Sequence, residues 1–213
     1  MDFLPEPILN YSRKFSSPQN KVLKELERET QYKILMPRMI SGHLMGSFLQ
    51  LISTIIKPKY ILEIGTYTGY SAICLASGLQ EEGELHTIEI NQELEDFASK
   101  YFKNAKLDNK IKMHIGNAKD IIPNLTHTFD IIFIDADKKN YCLYYEMALQ
   151  KIKRGGYIII DNVLWSGKVL EKAKKNDLET KEIQKLNQKI ATDARVENLL
   201  IPLRDGIMIC KVL

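Results

Sequence analysis

The chain is poor in cysteine: three thiols, Cys74, Cys142 and Cys210, in 213 residues, with no Cys-x-x-Cys pair. An odd, scattered set excludes a disulfide framework and points to a reducing, cytoplasmic setting. Long apolar runs are missing, so no segment is expected to span a bilayer. The start, Met1-Asp2-Phe3-Leu4-Pro5-Glu6, carries acids and a proline where a signal peptide needs a basic and then an apolar run. Strong charge of one sign is absent too. A net charge of +3, spread along the chain, leaves no concentrated basic footprint for a nucleic acid. Neither the three-glycine fingerprint of a dinucleotide site nor a Walker loop occurs, which argues against an NAD-dependent oxidoreductase. No repeat, low-complexity tract or interdomain linker is visible. What remains is ordinary globular composition, 45% hydrophobic and 27% charged, at a length that suits one domain over 1–213.

The first 58 residues read as a helical preface. Ser17-Pro18 offers an N-cap followed by proline, with Val22, Leu23 and Leu26 at helical spacing until Met36-Pro37 breaks the pattern. Gly42 to Ile56 places Leu44, Phe48, Leu51, Ile52 and Ile55 on one face of a second helix, ended by Lys57-Pro58. From Tyr60 the chain alternates. Strand-like runs at 60–64, 85–90, 111–115, 129–134 and 157–160 are separated by helical patterns at 71–79, 92–106 and 141–152. Strands separated by helices imply βαβ units and a parallel sheet. The continuous apolar runs 131–134 and 157–160 suit strands buried on both faces. After a lysine-rich segment and a helix near 179–191, Arg204-Asp205-Gly206 between two apolar runs predicts an antiparallel hairpin at the end of the sheet. The fold class is α/β.

In an open parallel sheet, ligands bind beyond the carboxyl ends of the strands. Strand one ends in Glu63-Ile-Gly65, and Gly69 opens the next helix. Without a Cβ, Gly65 and Gly69 let the backbone approach a ligand closely. Glu63 is a carboxylate in an apolar strand, where burial needs a donor. Glu89 ends strand two, 24 residues beyond Gly65, where an acid accepts hydrogen bonds from ribose hydroxyls. Gly116-Asn117-Ala118 supplies small residues on which an adenine edge could lie flat. Strands four and five end in Asp135-Ala-Asp-Lys138 and Asp161-Asn162. If the two strands are neighbours, Asp135, Asp161 and Asn162 converge as hard oxygen donors for Mg²⁺ or a similar cation. Helix capping by Asp137 or Asn140 accounts for one acid, but not for acids closing two strands. Beside such a cation the pKa of Lys138 should fall toward the range of a general base. His43, His86, His114 and His127 look isolated and are read as structural or exposed rather than as zinc ligands.

Taken together, Glu63-Ile-Gly-Thr-Tyr-Thr-Gly-Tyr-Ser71, Asp135-Ala-Asp-Lys-Lys-Asn-Tyr141, Asp161-Asn-Val-Leu-Trp-Ser-Gly167 and Arg204-Asp-Gly-Ile207 resemble the cation-dependent class I O-methyltransferases. This is the caffeoyl-CoA and catechol O-methyltransferase family with its small bacterial members. The resemblance runs from about Met39 to the C-terminus. It implies a Rossmann-like, seven-stranded, mostly parallel sheet with an antiparallel C-terminal hairpin and helices on both faces. It also implies S-adenosyl-L-methionine as methyl donor, a divalent cation (Mg²⁺, or Mn²⁺ or Ca²⁺), a vicinal diphenol as acceptor, and a homodimer. Carried over by motif, Met39, Glu63, Gly65, Thr66, Tyr67, Ser71, Glu89, Ala118 and Asp135 belong to the donor site. Asp135, Asp161 and Asn162 match the metal ligands, Lys138 the base, and Trp165 and Asp205 positions near the acceptor. Two departures stand out. After Trp165 the chain carries Lys168, Lys172, Lys174 and Lys175 where plant members present tyrosines, which speaks against a coenzyme-A ester. Ala136-Asp137 stands where catechol-type enzymes have His-Trp. Nucleic-acid and protein methyltransferases usually carry Asn/Asp-Pro-Pro-aromatic after strand four, which Asp135-Ala-Asp-Lys138 is not. A non-catalytic donor-binding module would have no reason to keep Asp135, Lys138, Asp161 and Asn162 together.

Overall fold

Seven strands form one sheet in the order β3-β2-β1-β4-β5-β7-β6 in a computed structural model that describes residues 5–213. Met1 to Leu4, part of the stretch read against a signal peptide, lie outside the described residues. The strands are β1 Tyr60–Ile64, β2 Glu84–Glu89, β3 Ile111–Ile115, β4 Phe129–Ile134, β5 Ile152–Asp161, β6 Val196–Ile201 and β7 Ile207–Val212. β1 to β5 pair in parallel, and β7 runs antiparallel to both β5 and β6. The expected terminal hairpin is there, but its last strand inserts between β5 and β6. Helices α1 Glu6–Lys14, α2 Lys21–Lys33, α3 Gly42–Ile56, α4 Tyr70–Ala76, α5 Glu95–Asn104, α6 Ala118–Ile121, α7 Tyr141–Lys151 and α8 Leu178–Ala191 complete the fold.

Alternation along the central strands feeds two cores. Leu62, Ile132, Ile134, Ile158 and Ile160 pack with α7 and α8, while Ile61, Ile131, Phe133 and Ile159 pack with α2 to α5. Both faces of the sheet are therefore covered, as the unbroken apolar runs require.

Three expectations about the preface need correction. The N-cap of α2 is Asn20, whose side chain accepts from Leu23 N at 2.8 Å, and Ser17-Pro18 lies before it. The core face of α3 is also not the predicted one. Met45, Gly46, Leu49 and Ser53 are buried, whereas Leu51 and Ile55 are 63% and 75% exposed. Small residues decide this. A Cβ on Gly46 would lie 2.5 Å from the Tyr70 ring, and Ser53 Oγ donates to Leu75 O, so only this face lets α3 close on α4. Finally, Pro37–Ile56, a short 3₁₀ turn running into α3, holds an 18-residue window of mean hydropathy 1.4, enough by length and composition to cross a membrane. The apolar runs are thus longer than expected, although Met45 and Leu49 within this one are fully buried in the core.

The histidines are not all isolated either. His43 stands apart, bonded to Ser17 O, but the rings of His86, His114 and His127 gather on one face of the sheet, with His127 just before β4 and His114 in β3 opposite Ile88. Burial, followed by the neighbouring His114 and His127, pushes His86 down to about 4.

Candidate active site

The residues singled out from the sequence gather along the carboxyl edge of the sheet. Glu63 of β1 is fully buried and lies opposite Thr87 of β2 in the parallel register. Thr87 Oγ1 donates to Glu63 Oε2 at 2.5 Å and shares a second hydrogen bond with Thr66 Oγ1. Glu63 Oε1 has no partner. Burial pushes the Glu63 carboxyl up to about 8, partly offset by the Ser71 and Thr87 hydroxyls and reinforced by the charges of Asp135 and Glu89. A buried acid with one oxygen free is suited to an incoming ammonium group, so this corner fits the amino-acid end of the expected donor.

Glu89, at the end of β2, is also buried. Its two oxygens accept from Tyr67 N at 2.7 Å and Asn91 N at 2.9 Å. The carboxylate is thereby fixed with lone pairs to spare for hydroxyl donors. Gly116 N donates to Glu89 O, bringing the turn before α6 against the same strand end, with Ala118 buried at the start of that helix. Asn117 is the N-cap there, its side chain accepting from Lys119 N. Tyr67, at φ 49°, reaches back so that its hydroxyl faces the carbonyls of Leu35 and Met36. Met39 is half-exposed on the neighbouring 3₁₀ turn.

The glycines do something other than expected. A Cβ on Gly65 would sit 1.9 Å from Asp135 O, and one on Gly69 would strike the Phe102 ring. Protein, not ligand, fills those spaces. The positive φ of Gly65, 103°, and its missing side chain let the β1 turn lie against the end of β4, which sets Asp135 beside the donor corner.

β4 and β5 are neighbours, pairing Ile134 with Ile160, so Asp135 and Asp161 lie at adjacent strand ends as predicted. Lys138 joins them. Its ammonium donates to Asp135 Oδ1 at 2.9 Å and to the Tyr141 hydroxyl at 2.5 Å, and Tyr141 in turn donates to Asp161 O at 3.2 Å. Asn162, at φ 62°, turns the chain directly after Asp161 and donates its N–H to Asp161 Oδ1. Burial, then the charge of Asp135, pushes the Asp161 carboxyl upward. Burial works against the Lys138 ammonium, but Asp135, Tyr141 and Asp161 outweigh it and hold the lysine protonated. The fall expected for Lys138 is therefore not a property of the protein groups alone. A buried acid, a half-buried acid whose charge pushes the first toward neutrality, and an amide make a hard-oxygen set that a divalent cation fits. Capping does not explain these residues. Asp137 instead bonds Tyr144 and Asn140, and Asn140 makes no side-chain cap.

Trp165 and Asp205 lie beside this cluster. Asp205 Oδ1 accepts from Ser166 N, and Leu164 N donates to Asp205 O, so the hairpin turn fixes the chain around Trp165. The indole lies 5.9 Å from Lys138 Nζ on one side and 5.7 Å from Lys168 Nζ on the other, centroid to nitrogen.

Sequence reasoning gave no role to Thr87, Tyr141 or Arg204. Thr87 had a signal, a hydroxyl in an apolar strand at the position facing Glu63. Arg204 had none, because its partners, the carbonyls of Ser41 at 2.6 Å and Ile40 at 3.3 Å, lie more than 160 residues away.

A family model described as O-methyltransferase matches residues 13–213. Probable caffeoyl-CoA O-methyltransferase 2 of Dictyostelium discoideum is 34% identical over 205 residues, 94% of this chain and 89% of that protein. Caffeoyl-CoA O-methyltransferase of Medicago sativa is 32% identical, covering 91% and 82%. Among solved structures, the O-methyltransferase from Bacillus cereus in complex with SAH superposes with a TM-score of 0.90 at 31% identity, over 97% of each chain.

Proposed function

Because this chain belongs to the O-methyltransferase family, with S-adenosylmethionine as donor, we propose that it methylates one oxygen of a vicinal diphenol in a cation-dependent reaction. The observation that carries this is the meeting of Asp135, Lys138 and Asp161 at adjacent strand ends, beside the buried Glu63 and Glu89. When bound, the donor supplies an electrophilic methyl group, and a divalent cation supplies Lewis acidity toward two adjacent oxygens while cancelling the negative charge that holds Lys138 protonated. Glu63 receives the donor's amine at its unpartnered Oε1, and Glu89 accepts from the ribose hydroxyls. Asp135, Asp161 and Asn162 would hold the cation. Lys138 Nζ takes the proton of the hydroxyl that receives the methyl group, and Tyr141 steadies that nitrogen. Trp165 walls the aromatic ring. Much of the acceleration comes from holding donor and acceptor in one orientation.

A chelated pair of oxygens binds far better than one, since the second contact costs no new translational freedom. Labelled donor, Mg²⁺ and a set of phenols test this. Caffeic acid or simple catechols should react, mono-phenols of the same shape should not, and EDTA should stop turnover until Mg²⁺ or Mn²⁺ is restored. Turnover in chelator would remove the cation, and an equally good mono-phenol would remove chelation.

The setting is read as cytoplasmic and the assembly as a homodimer. Three buried free thiols support the first. Exposed Tyr11 on α1, Phe15 just after it, and Leu51 and Ile55 on α3 support the second, and sedimentation analysis decides it.

A further inference from the structure

Far from the acids described above, Glu84, His86 and His127 converge at the amino-terminal side of the sheet. Glu84 and His86 alternate onto one face of β2, and His127 comes in from the segment entering β4. One ligand atom from each lies within 4.8 Å of the other two. His86 is 7% exposed, yet its Nε2 has no hydrogen bond, and the buried Nδ1 of His127 has none either. The Glu84 carboxylate stands 3.5 Å from His86 Nε2, too far for a proper hydrogen bond. On its other side His86 Nδ1 meets His114 Nε2 of β3 at 3.0 Å.

Packing alone accounts for part of this. The rings of Tyr60, His86, His114, His127 and Phe129 form an aromatic cluster, with Tyr60 and His127 centroids 4.3 Å apart. It does not account for two buried ring nitrogens left without hydrogen bonds beside a carboxylate, since buried polar atoms are almost always paired. It also leaves unexplained why the far nitrogen of His86 is oriented by a second imidazole. A ligating histidine characteristically bonds through its other nitrogen to such an orienting group.

We propose that Glu84, His86 and His127 form a binding site for a borderline transition-metal ion of the Zn²⁺ class, with His114 orienting His86. Two imidazoles and a carboxylate are a donor set for such ions, and three protein ligands leave a position for water. Imidazole nitrogen discriminates against Mg²⁺, so this site is chemically separate from the oxygen donors at Asp135, Asp161 and Asn162. Glu84 keeps about a third of its side chain in solvent, which gives the ion an entry. Glu84 begins β2 and Glu89 ends it, about 17 Å apart at strand rise, so the bound ion takes no part in methyl transfer. Its effect is mechanical. It ties β2, and through His114 β3, to the entry of β4 across the start of β1.

Co²⁺ is the probe, titrated into the whole protein with Mg²⁺ in excess. Four-coordinate cobalt absorbs intensely in the visible, whereas a six-coordinate oxygen site does not. The wild-type protein should take up one such Co²⁺ and melt at a higher temperature. Glu84→Gln and His127→Asn should each lose the band and the thermal gain while keeping Mg²⁺-dependent methyl transfer. His114→Gln should keep the band and bind about 10–100-fold more weakly. A folded wild-type protein without the band, or a band that survives both Glu84→Gln and His127→Asn, reduces the cluster to aromatic packing. Should both variants misfold, X-ray absorption of the wild-type cobalt protein decides, and fewer than two imidazoles around the metal overturns the site.

Discussion

The donor side and the acceptor side of the pocket both bury carboxylates, but they compensate them by opposite means. Glu63 and Glu89 meet only neutral groups, the hydroxyls of Ser71 and Thr87 and the backbone N–H groups of Tyr67 and Asn91. Asp135 accepts a hydrogen bond from the Lys138 ammonium, and the Asp161 carboxyl feels the same charge through space. Neutral partners fix an acid in place and leave its charge available to a cationic or hydroxylic ligand. A resident ammonium sets a positive charge beside the acids and makes them exchangeable between lysine and metal. One side is built for binding and the other for chemistry.

The largest test of that contrast is Lys138→Met, which should lower kcat by about 10²–10⁴. Affinity for S-adenosylhomocysteine should hardly move, and an equal loss in both would merge the two sides into one network. Glu89→Ala should do the reverse. Calorimetry should show donor binding weakened by about 2–3 kcal/mol, as expected for charge-assisted hydrogen bonds. If the affinity survives, Glu89 serves only to hold Tyr67 and Asn91.

Next in size comes a pH effect. Glu63 sits at about 8 in the folded protein against an ordinary value of 4.5, so below pH 8 the free site is mainly protonated. An ammonium ligand needs the ionised form. Affinity for S-adenosylhomocysteine should therefore climb with pH, by up to about tenfold per unit, and level off above about 8. Glu63→Gln should flatten the profile. The sign for stability is opposite. A folded pKa raised above the unfolded one gives stability that is complete below the ordinary carboxylate value and is lost as pH rises through about 8, so Tm without donor should fall there. Thr87→Val removes one neutral partner and should cost about 1 kcal/mol of donor affinity. Smallest of all, the exposed Lys168, Lys172, Lys174 and Lys175 should favour caffeic acid over an uncharged catechol by less than about 1 kcal/mol, fading with salt. A neutral acceptor preferred at both high and low salt would leave the lysines a solvated face.

How much of this could be read from the sequence follows the same physics. β1 and β4 were readable to the residue as near-continuous apolar runs buried on both faces, and β3, at the sheet edge, as apolar residues alternating with polar ones. The strand-end acids were readable because the topology rule says where to look. The core face of α3 was hidden, since the helix is apolar on two sides and the choice lay in what Gly46 and Ser53 allow α4 to do. The true role of Gly65 was hidden likewise, because Asp135 O fills the space where its Cβ would be, from a strand 70 residues later. The histidines looked solitary because His86, His114 and His127 are neighbours only after β2, β3 and the entry to β4 have folded. Pattern within one element is legible; coincidence between elements is not.

The placing of β7 between β5 and β6 has a consequence for a chain made on the ribosome. β6 emerges before β7, yet among the described residues its one partner in the sheet is β7, so it waits without a ladder until residues 207–212 have left the tunnel. Until then the edge of β5 is bare, and Asp161 lacks the pairing with Ile207 that ends its strand. Asp205, and Arg204 with its grip on Ile40 and Ser41, arrive at the same late moment. Synthesis thus delivers the donor side first and the acceptor side last, and a chain stalled short of β7 offers its open strand edge to whatever β-forming segment it meets.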